Sequence, residues 1–427
     1  MSKFQIVLLA VFGIFILAAV LVFALYRGTS SQEATVTVWG TFSTQDFGLL
    51  LSNSSLSQDQ MLQINYEEKS ASNLEAQFTE ALAQGAGPDL VILRQDQFWK
   101  NKAKLIAIPY SSLSQKHFSD TFVEAGEIYL TQEGVYGLPL SVDPLVLYYN
   151  RDALSGAGIA KPIQYWDEIY ASTGTLSKRD AAGNLTKSTI ALGETRNINN
   201  AKDILSLLLL QAGTPITGFI GPELRSLLGE SFSLPVAPAD SALEFYTQFS
   251  NPTKAYYSWN RVLPEAQTRF TAGDSAYYLG FASELRALKN KNPTLNFAVT
   301  LVPQSRVSGK TLTIGRLYAV SLSRGTKNPS TALSAAFKLA SVEASAALSQ
   351  IILWPPARRD LLSQKPTDAI LPVFYNAALQ SKSWTDPNSA LSAKVFSDMI
   401  EAVTSGRVRT SEAVSKADRE LEILIKN

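Results

Sequence analysis

Charged side chains directly follow an apolar run early in the chain. Residues 90–93 form a short apolar stretch, and Arg94 and Asp96 come immediately after it. Ligands of open α/β sheets bind outside the carboxyl ends of the strands. A guanidinium and a carboxylate at such a strand end can hydrogen-bond the hydroxyl groups of a ligand. The pattern therefore predicts ligand contacts by Arg94 and Asp96, although a solvated turn would fit the same residues.

A single carboxylate interrupts a long apolar run in the middle of the chain. Asp143 stands directly before Pro144, ahead of the strand-like residues 145–149. Burying a carboxylate costs free energy unless it has a polar partner, so packing alone gives little reason for its presence. The same stretch is a plausible crossover between two units of the fold. We expect Asp143 to contact a ligand at that crossover.

Few residue types used in catalysis are present. The chain has no cysteine, and His117 is its single histidine, which disfavours thiolate and most zinc sites and the Ser-His-Asp arrangement. Lysine and arginine number 38 against 37 acidic residues, a formal net charge of +1, so nothing attracts nucleic-acid phosphates. No carboxylate pair suggests a glycosidase. We expect no enzyme, no cofactor, no metal and no nucleic-acid partner.

An uncharged apolar segment lies near the amino terminus. Residues 6–26 comprise 21 positions, and a helix of that length spans roughly 30 Å, the thickness of a bilayer's hydrocarbon core. A cleaved signal peptide has a shorter apolar region of about 7–15 residues, although the small residues at 28–30 would also permit cleavage. We expect a transmembrane anchor at 6–26 with a tether to residue 33, and a body outside the cytoplasm.

Strands and helices alternate through the body, which is long enough for at least two cores. Apolar and β-branched runs predict strands, and apolar residues at four-residue spacing predict helices. The predicted strands are 35–39, 61–66, 90–93, 145–149, 276–280, 297–301 and 317–322. The predicted helices are 72–84, 165–171, 201–212, 240–249, 264–272 and one containing Val414, Ala417, Leu421 and Leu424. This order predicts α/β architecture with a mostly parallel sheet covered by helices.

Several short motifs in this pattern resemble those of the extracellular solute-binding proteins of ABC importers, the group that includes maltose-binding-like proteins. They follow one another in the family's order and together cover nearly the whole body. They are GPDLVI at 87–92, YGLP at 136–139, LYYNRD at 147–152, AGI at 157–159, WDE at 166–168, FTAGDSA at 270–276 and PAR at 356–358.

The resemblance implies a type II-like periplasmic-binding-protein fold, two α/β lobes joined by a hinge, here preceded by one N-terminal transmembrane helix. Residues 34–142 with about 296–345 would form the N-terminal lobe, and 143–295 with about 346–427 the C-terminal lobe. The family's function implies capture of a small solute, with carbohydrate as the leading class, and its delivery to the transmembrane subunits of an ABC permease. We expect a monomer.

The resemblance also adds candidate ligand contacts. A sugar offers hydroxyl edges to polar side chains and apolar ring faces to aromatic ones. Trp39 closes the first strand, where the family has its cleft, and Asp143 matches an acidic contact of the family. The remaining candidates, each of which could instead belong to a core, are Trp259, Phe281, Arg316, Tyr318 and Trp354.

Two departures from the family pattern affect these expectations. The lipid-modified cysteine of many members is absent, and the apolar span at 6–26 would replace it as the anchor. A tryptophan that often follows the strand at 276–279 is also missing, since Gly280, Phe281 and Ala282 stand there. Polyols, peptides and other solutes therefore stay open as ligands. Two alternative functions also stay open: a binding protein that feeds a sensor kinase, and an anchored hydrolase of cell-envelope glycans.

Overall fold

The computed structural model describes residues 12–16, 34–58, 62–306, 309, 311–364 and 366–426. Most of the predicted anchor at 6–26 lies outside these residues, and the described part, 12–16, is helical with exposed side chains. Within the described ranges, no helix combines the length and the apolar character that crossing a membrane requires.

Helices and strands alternate along the body, as the sequence predicts. The α-helices are α1 (Thr44–Ser52), α2 (Leu74–Ala83), α3 (Gln95–Asn101), α4 (Gln115–Thr121), α5 (Arg151–Gly156), α6 (Glu168–Leu176), α7 (Ala201–Ala212), α8 (Pro238–Thr247), α9 (Ala266–Thr271), α10 (Leu285–Lys291), α11 (Pro329–Leu339), α12 (Val342–Ile352), α13 (Arg359–Leu362), α14 (Leu371–Leu379), α15 (Ser389–Thr404) and α16 (Thr410–Lys426). The strands are β1 (Ala34–Gly40), β2 (Leu62–Glu68), β3 (Leu90–Arg94), β4 (Leu105–Ile106), β5 (Leu130–Thr131), β6 (Gly134–Val135), β7 (Leu138–Asn150), β8 (Lys178–Arg179), β9 (Leu185–Lys187), β10 (Thr217–Ile220), β11 (Glu223–Ser226), β12 (Tyr277–Phe281), β13 (Phe297–Thr300), β14 (Thr313–Ser323) and β15 (Ser381–Lys382).

One large sheet runs through the molecule in the order β12-β7-β14-β3-β1-β2. β1 pairs in parallel with β2 and β3, whereas β14 is antiparallel to both β3 and β7. The expectation of a mostly parallel sheet therefore holds for β1, β2 and β3 and for the short pairing of β15 with β14, but not for the central strands. The reason is that β7 leaves toward the second half of the molecule and β14 returns from it, so the two strands run in opposite directions.

Two separate hydrophobic cores define two lobes. The first contains buried residues from 36–142 and 317–362, and the second contains buried residues from 145–314 and 374–421, with Ala378 joining the first. The first half of β7 pairs with β14, and its second half pairs with β12 and β13. Both long strands thus run from one core into the other, and the change of core falls between Val142 and Leu145.

The chain passes between the two cores at positions that differ from the predicted lobe boundaries. The segment that completes the first lobe is displaced toward the carboxyl terminus from the predicted 296–345. Val299 packs in the second core because β13 pairs with the second half of β7. Leu348 packs in the first core, where α12 lies against α1. The chain leaves the first core next to Asp143, and its return to that core depends on these long-range pairings.

Trp259, one of the predicted ligand contacts, lies instead in the second core. Its side chain is 0% exposed, and its indole Nε1 donates a 3.0 Å hydrogen bond to Oδ1 of Asn197. No surface of the ring is open to a ligand in this position. The backbone amides of Ser258 and Trp259 both donate to the Phe249 carbonyl, which fixes this loop against the second core.

Replacing Trp259 by alanine should lower the free energy of unfolding by about 3–5 kcal/mol, because a large buried ring is lost and a cavity remains. Chemical denaturation followed by circular dichroism measures this change. Phe337→Ala, on the outer face of α11 with a ring that is 36% exposed, is the matched control and should cost less than about 1 kcal/mol. Equal losses for the two variants would contradict a core position for Trp259.

Candidate ligand-binding cleft

Asp143 and Arg316 face each other where the two long strands cross between the lobes. They are register partners in the β7–β14 ladder. Asp143 is 1% exposed, and its Oδ1 accepts a 2.8 Å hydrogen bond from the backbone amide of Ser283, just after β12. Burial raises the pKa of Asp143 to about 7, although that hydrogen bond and the charge of Arg316 each lower it in part. The crossing therefore holds a buried acid poised near neutrality.

Arg316 connects the crossing to the second lobe. Its Nη2 donates a 2.6 Å hydrogen bond to Oδ2 of Asp203, in the first turn of α7. Its guanidinium carbon lies 3.6 Å from the ring centroid of Phe281. Phe281 is itself 0% exposed, so this predicted contact supports the arginine and has no free ring face. A planar cation held by an acid and an aromatic ring keeps a fixed orientation.

Arg94 and Asp96 lie at the end of β3 and the start of α3, on the first-lobe side. They form a two-pronged ion pair in which Nε and Nη2 of Arg94 each lie 2.6 Å from a carboxylate oxygen of Asp96. Burial would raise the pKa of Asp96, but the arginine charge and its hydrogen bonds outweigh burial and lower the pKa to about 2. Asp96 is therefore an anion at physiological pH.

A hydroxyl from the second lobe also bonds Asp96. Ser389 Oγ, in the first residue of α15, donates to Oδ2 of Asp96. The buried side chains of α15, among them Val395 and Phe396, pack in the second core. This hydrogen bond therefore joins the two lobes across the cleft.

Three aromatic rings stand beside these charges. The ring of Tyr318 lies 5.4 Å from that of Phe42 and 5.3 Å from that of Trp354, and Phe42 and Trp354 are 6.0 Å apart. Tyr318 is the register partner of Arg94 in the β14–β3 ladder. Burial, followed by the charge of Asp143, raises the pKa of the Tyr318 phenol. The predicted residues Tyr318 and Trp354 thus form one wall next to the charged groups.

Trp39 lies near the end of β1, close to these residues, but its side chain is largely buried. Its side chain is 8% exposed, with the ammonium of Lys69 3.9 Å from its ring centroid. Its indole Nε1 is buried without an acceptor among the described residues. A buried free donor at the end of β1 is costly, and a ligand acceptor could satisfy it.

The structure brings three polar residues into this region that the sequence analysis did not select. Asp203 and Lys202 open α7, and Ser389 opens α15. Lys202 bonds Asp386 and Ser392, and its ammonium lies 5.2 Å from the centroid of Trp384. Two charged residues at the start of the otherwise apolar helix 201–212 could have indicated a functional site in the sequence. No comparable sequence pattern marks Ser389.

No group of three or more acidic or histidine side chains that could hold a metal ion occurs in the part of the chain the structure describes. The cleft instead offers paired charges from both lobes, a buried acid at the crossing and an aromatic wall. Such a set can bind a solute by hydrogen bonds and ring contacts.

Asp143 gives a pH-dependent prediction. The unfolded chain releases the Asp143 proton near the ordinary aspartate pKa of 3.8, whereas the folded chain, with its pKa raised by burial, holds it to about pH 7. The folded state thus binds more protons in this window, so its stability falls as pH rises from about 4 to about 7 and is level above. Asp143→Asn keeps an acceptor for Ser283 but cannot titrate. Its stability relative to the natural chain should therefore increase across that window by up to about 4 kcal/mol.

Urea denaturation of both chains between pH 4 and pH 8 measures this difference. A difference that stays constant with pH would show that Asp143 is ionised throughout and would contradict its burial as a neutral acid.

Comparison with known proteins agrees with the two-lobed geometry. The sequence profile of the bacterial extracellular solute-binding proteins matches residues 56–387. A candidate binding protein of Brucella abortus (strain 2308) is 27% identical over 114 residues, which are 26% of this chain and 28% of that relative. The match therefore spans little more than a quarter of the relative's length.

Solved structures with the same fold cover almost the entire chain. A cyclo/maltodextrin-binding protein complexed with maltotetraose aligns with a TM-score of 0.75 at 15% identity, covering 94% of this chain and 99% of its own. The sugar-binding protein MalE from Xanthomonas citri aligns at 0.73 with 18% identity, covering 92% and 98%. The GacH receptor of Streptomyces glaucescens GLA.O aligns at 0.69 with 16% identity, also covering 92% and 98%.

These likenesses establish the two-lobed periplasmic-binding-protein fold expected from the sequence motifs. The profile covers most of the chain, including the crossing at Asp143, the helix that carries Asp203 and the loop of Trp354. The protein belongs to the bacterial extracellular solute-binding protein family.

Proposed function

We propose that this protein captures a carbohydrate between its two lobes and delivers it to an ABC permease. The observation that carries the proposal is the convergence of side chains from three places. Asp96 with Arg94 comes from the first lobe, Asp203 from the second, and Arg316 from the crossing strands. A ligand held among them touches both lobes at once.

The chemistry of the cleft suits an uncharged polyhydroxylated ligand. Arg94 pairs with Asp96, and Arg316 pairs with Asp203, so each cation already has an anionic partner. An ionic ligand would have to displace one of them, whereas hydroxyl groups can donate to the carboxylates and accept from the guanidinium groups. The Ser389 hydroxyl donates a hydrogen bond to Asp96. A sugar hydroxyl could replace it as the donor to the same carboxylate. The nearby rings of Tyr318 and Trp354 could cover an apolar sugar face.

The named ligands of similar proteins support this class. The aligned cyclo/maltodextrin-binding protein is complexed with maltotetraose, and GacH was solved with acarbose. Their identity to this chain is 15% and 16%, so they support the class of ligand and leave the particular sugar undetermined.

Ligand capture would work by a shift between open and closed arrangements of the lobes. A ligand that bonds both lobes stabilises the closed arrangement by its differential affinity. β7 and β14 supply the hinge, and a permease would recognise the closed shape. A sensor kinase could read the same shape, so that alternative function shares the binding site. The apolar sequence at 6–26 would anchor the chain, with the lobes outside the cytoplasm, and the proposal assigns no catalytic step.

Asp96→Asn tests the proposal in the purified full chain. Titration calorimetry and thermal shift against a panel of mono- and oligosaccharides, amino acids and peptides should show saccharide binding, because a ligand of the native state raises its melting temperature. Replacing the charged acceptor should weaken that binding by about 10- to 100-fold, as a hydrogen bond to a charged group contributes about 1.5–3 kcal/mol.

Asp120→Asn is the matched control, since Asp120 makes an exposed ion pair with Lys116 on α4. It should bind as the natural chain does. Unchanged saccharide binding by Asp96→Asn would overturn the proposed cleft. Binding of only peptides or amino acids from the panel would overturn the proposed ligand class.

A further inference from the structure

A cavity lies between the lobes, and its lining contains none of the cleft residues described above. Its volume is about 410 Å³. From the first lobe it is lined by Trp99, Lys102, Tyr110 and Glu133, and from the second by Phe219 and Pro222. None of these residues was selected from the sequence, and none belongs to the cleft of Asp96 and Arg316.

The second-lobe wall is the tip of the β10–β11 hairpin. Its two strands are joined by Gly221 and Pro222, and Gly221 has φ +61°, a conformation that favours glycine. The base of the hairpin is tied to α16, where Arg225 pairs with Glu422 at 2.7 Å and Ser226 Oγ donates to Asp418 at 2.6 Å. The tip is therefore carried by the second lobe and projects from it as a fixed arm.

The first-lobe wall is built on α3 and the β5–β6 hairpin. Trp99 meets Phe219 edge to face, with ring centroids 5.7 Å apart and an interplanar angle of 64°. Lys102 pairs with Glu133 at 3.0 Å, and the Tyr110 hydroxyl donates to the Thr131 carbonyl. The ring of Phe219 remains 52% exposed, so the two lobes touch here without filling the space between them.

The composition of this lining points to a ligand. Three aromatic residues line the cavity together with Gln115, Gln132 and the Lys102–Glu133 ion pair, whose ammonium lies 5.3 Å from the centroid of Trp99. The volume lies in the range of about 300–1,000 Å³ that small-molecule sites occupy. Apolar ring faces beside hydrogen-bonding groups of both polarities match a small neutral saccharide, with its apolar sugar faces and hydroxyl edges.

We propose that this cavity is a second saccharide site, whose ligand lies against Trp99 and the tip of the β10–β11 hairpin. The choice of ligand class rests on the proposed function, whereas the site itself is independent of it. Because the ligand contacts both lobes, its binding stabilises the arrangement in which they touch. The cavity would let a second saccharide strengthen capture of the first.

Calorimetric titration of the full chain with maltose, cellobiose and mannobiose tests the site, using one variant for each wall. Trp99→Ala removes the first-lobe ring, and Phe219→Ala removes the half-exposed ring of the second-lobe hairpin. The natural chain should show two saccharide sites. Each variant should weaken one of them at least about tenfold, a loss of about 1.4 kcal/mol. Phe337→Ala is the control and should retain both sites.

Asp96→Asn, which acts on the cleft, separates this proposal from the proposed function. Suppose that the natural chain shows one site, which Asp96→Asn abolishes and which Trp99→Ala and Phe219→Ala leave unchanged. This result would overturn the second site and leave the proposed function standing. One site lost in Trp99→Ala and Phe219→Ala but retained in Asp96→Asn would support the cavity and overturn the cleft as the binding place. No binding of the three disaccharides to the natural chain would overturn the second site as a disaccharide site.

Discussion

The crossing of β7 and β14 is the constraint on which the cleft depends. Both strands belong to two cores, so any movement of one lobe against the other must bend them near Asp143 and Arg316. Both hinge side chains also reach into the second lobe, Asp143 to the amide of Ser283 and Arg316 to Asp203. The floor of the cleft is thereby tied to the second lobe. Arg94 and Asp96 remain with the first lobe and form the opposing side.

Most charged side chains around this crossing already have an oppositely charged partner in the absence of a ligand. An unpaired buried charge costs several kcal/mol, and pairing offsets much of that cost. Arg94 with Asp96 and Arg316 with Asp203 follow this rule. Asp143 is bonded by Ser283 and lies opposite Arg316 in the β7–β14 ladder, but its burial outweighs both and raises its pKa to about 7. A site built this way gains little from an ionic ligand and loses little when one hydroxyl replaces another. This is the physical basis for expecting discrimination by hydroxyl geometry and not by charge.

Sequence reasoning succeeded where a local pattern has one physical cause. An acid before a proline inside an apolar run has few roles, and Asp143 does lie at the crossing. Charged residues directly after a buried strand fall at the strand end, and Arg94 and Asp96 lie there as an ion pair. Sequence reasoning failed where long-range packing determines whether a side chain is buried or lies at the cleft. Trp259 and Trp354 are both loop tryptophans in the sequence, and only tertiary contacts bury the first in the core and place the second beside Tyr318. Ser389 and Phe219 became relevant only because distant elements bring them against the first lobe.

Contacts between the lobes at separate places have a thermodynamic consequence. The hydrogen bond from Ser389 to Asp96 and the edge contact of Phe219 with Trp99 coexist in one arrangement of the lobes. Each contributes at most a few kcal/mol, and opening the lobes would also break the Arg286–Ile351 hydrogen bond and the Lys382–Glu124 ion pair. A ligand at either place stabilises the arrangement that preserves the other contact. Linkage then requires each occupied place to strengthen binding at the other by the same factor. In the proposed two-site binding, the hinge would couple both ligands to one equilibrium between the open and closed arrangements of the lobes.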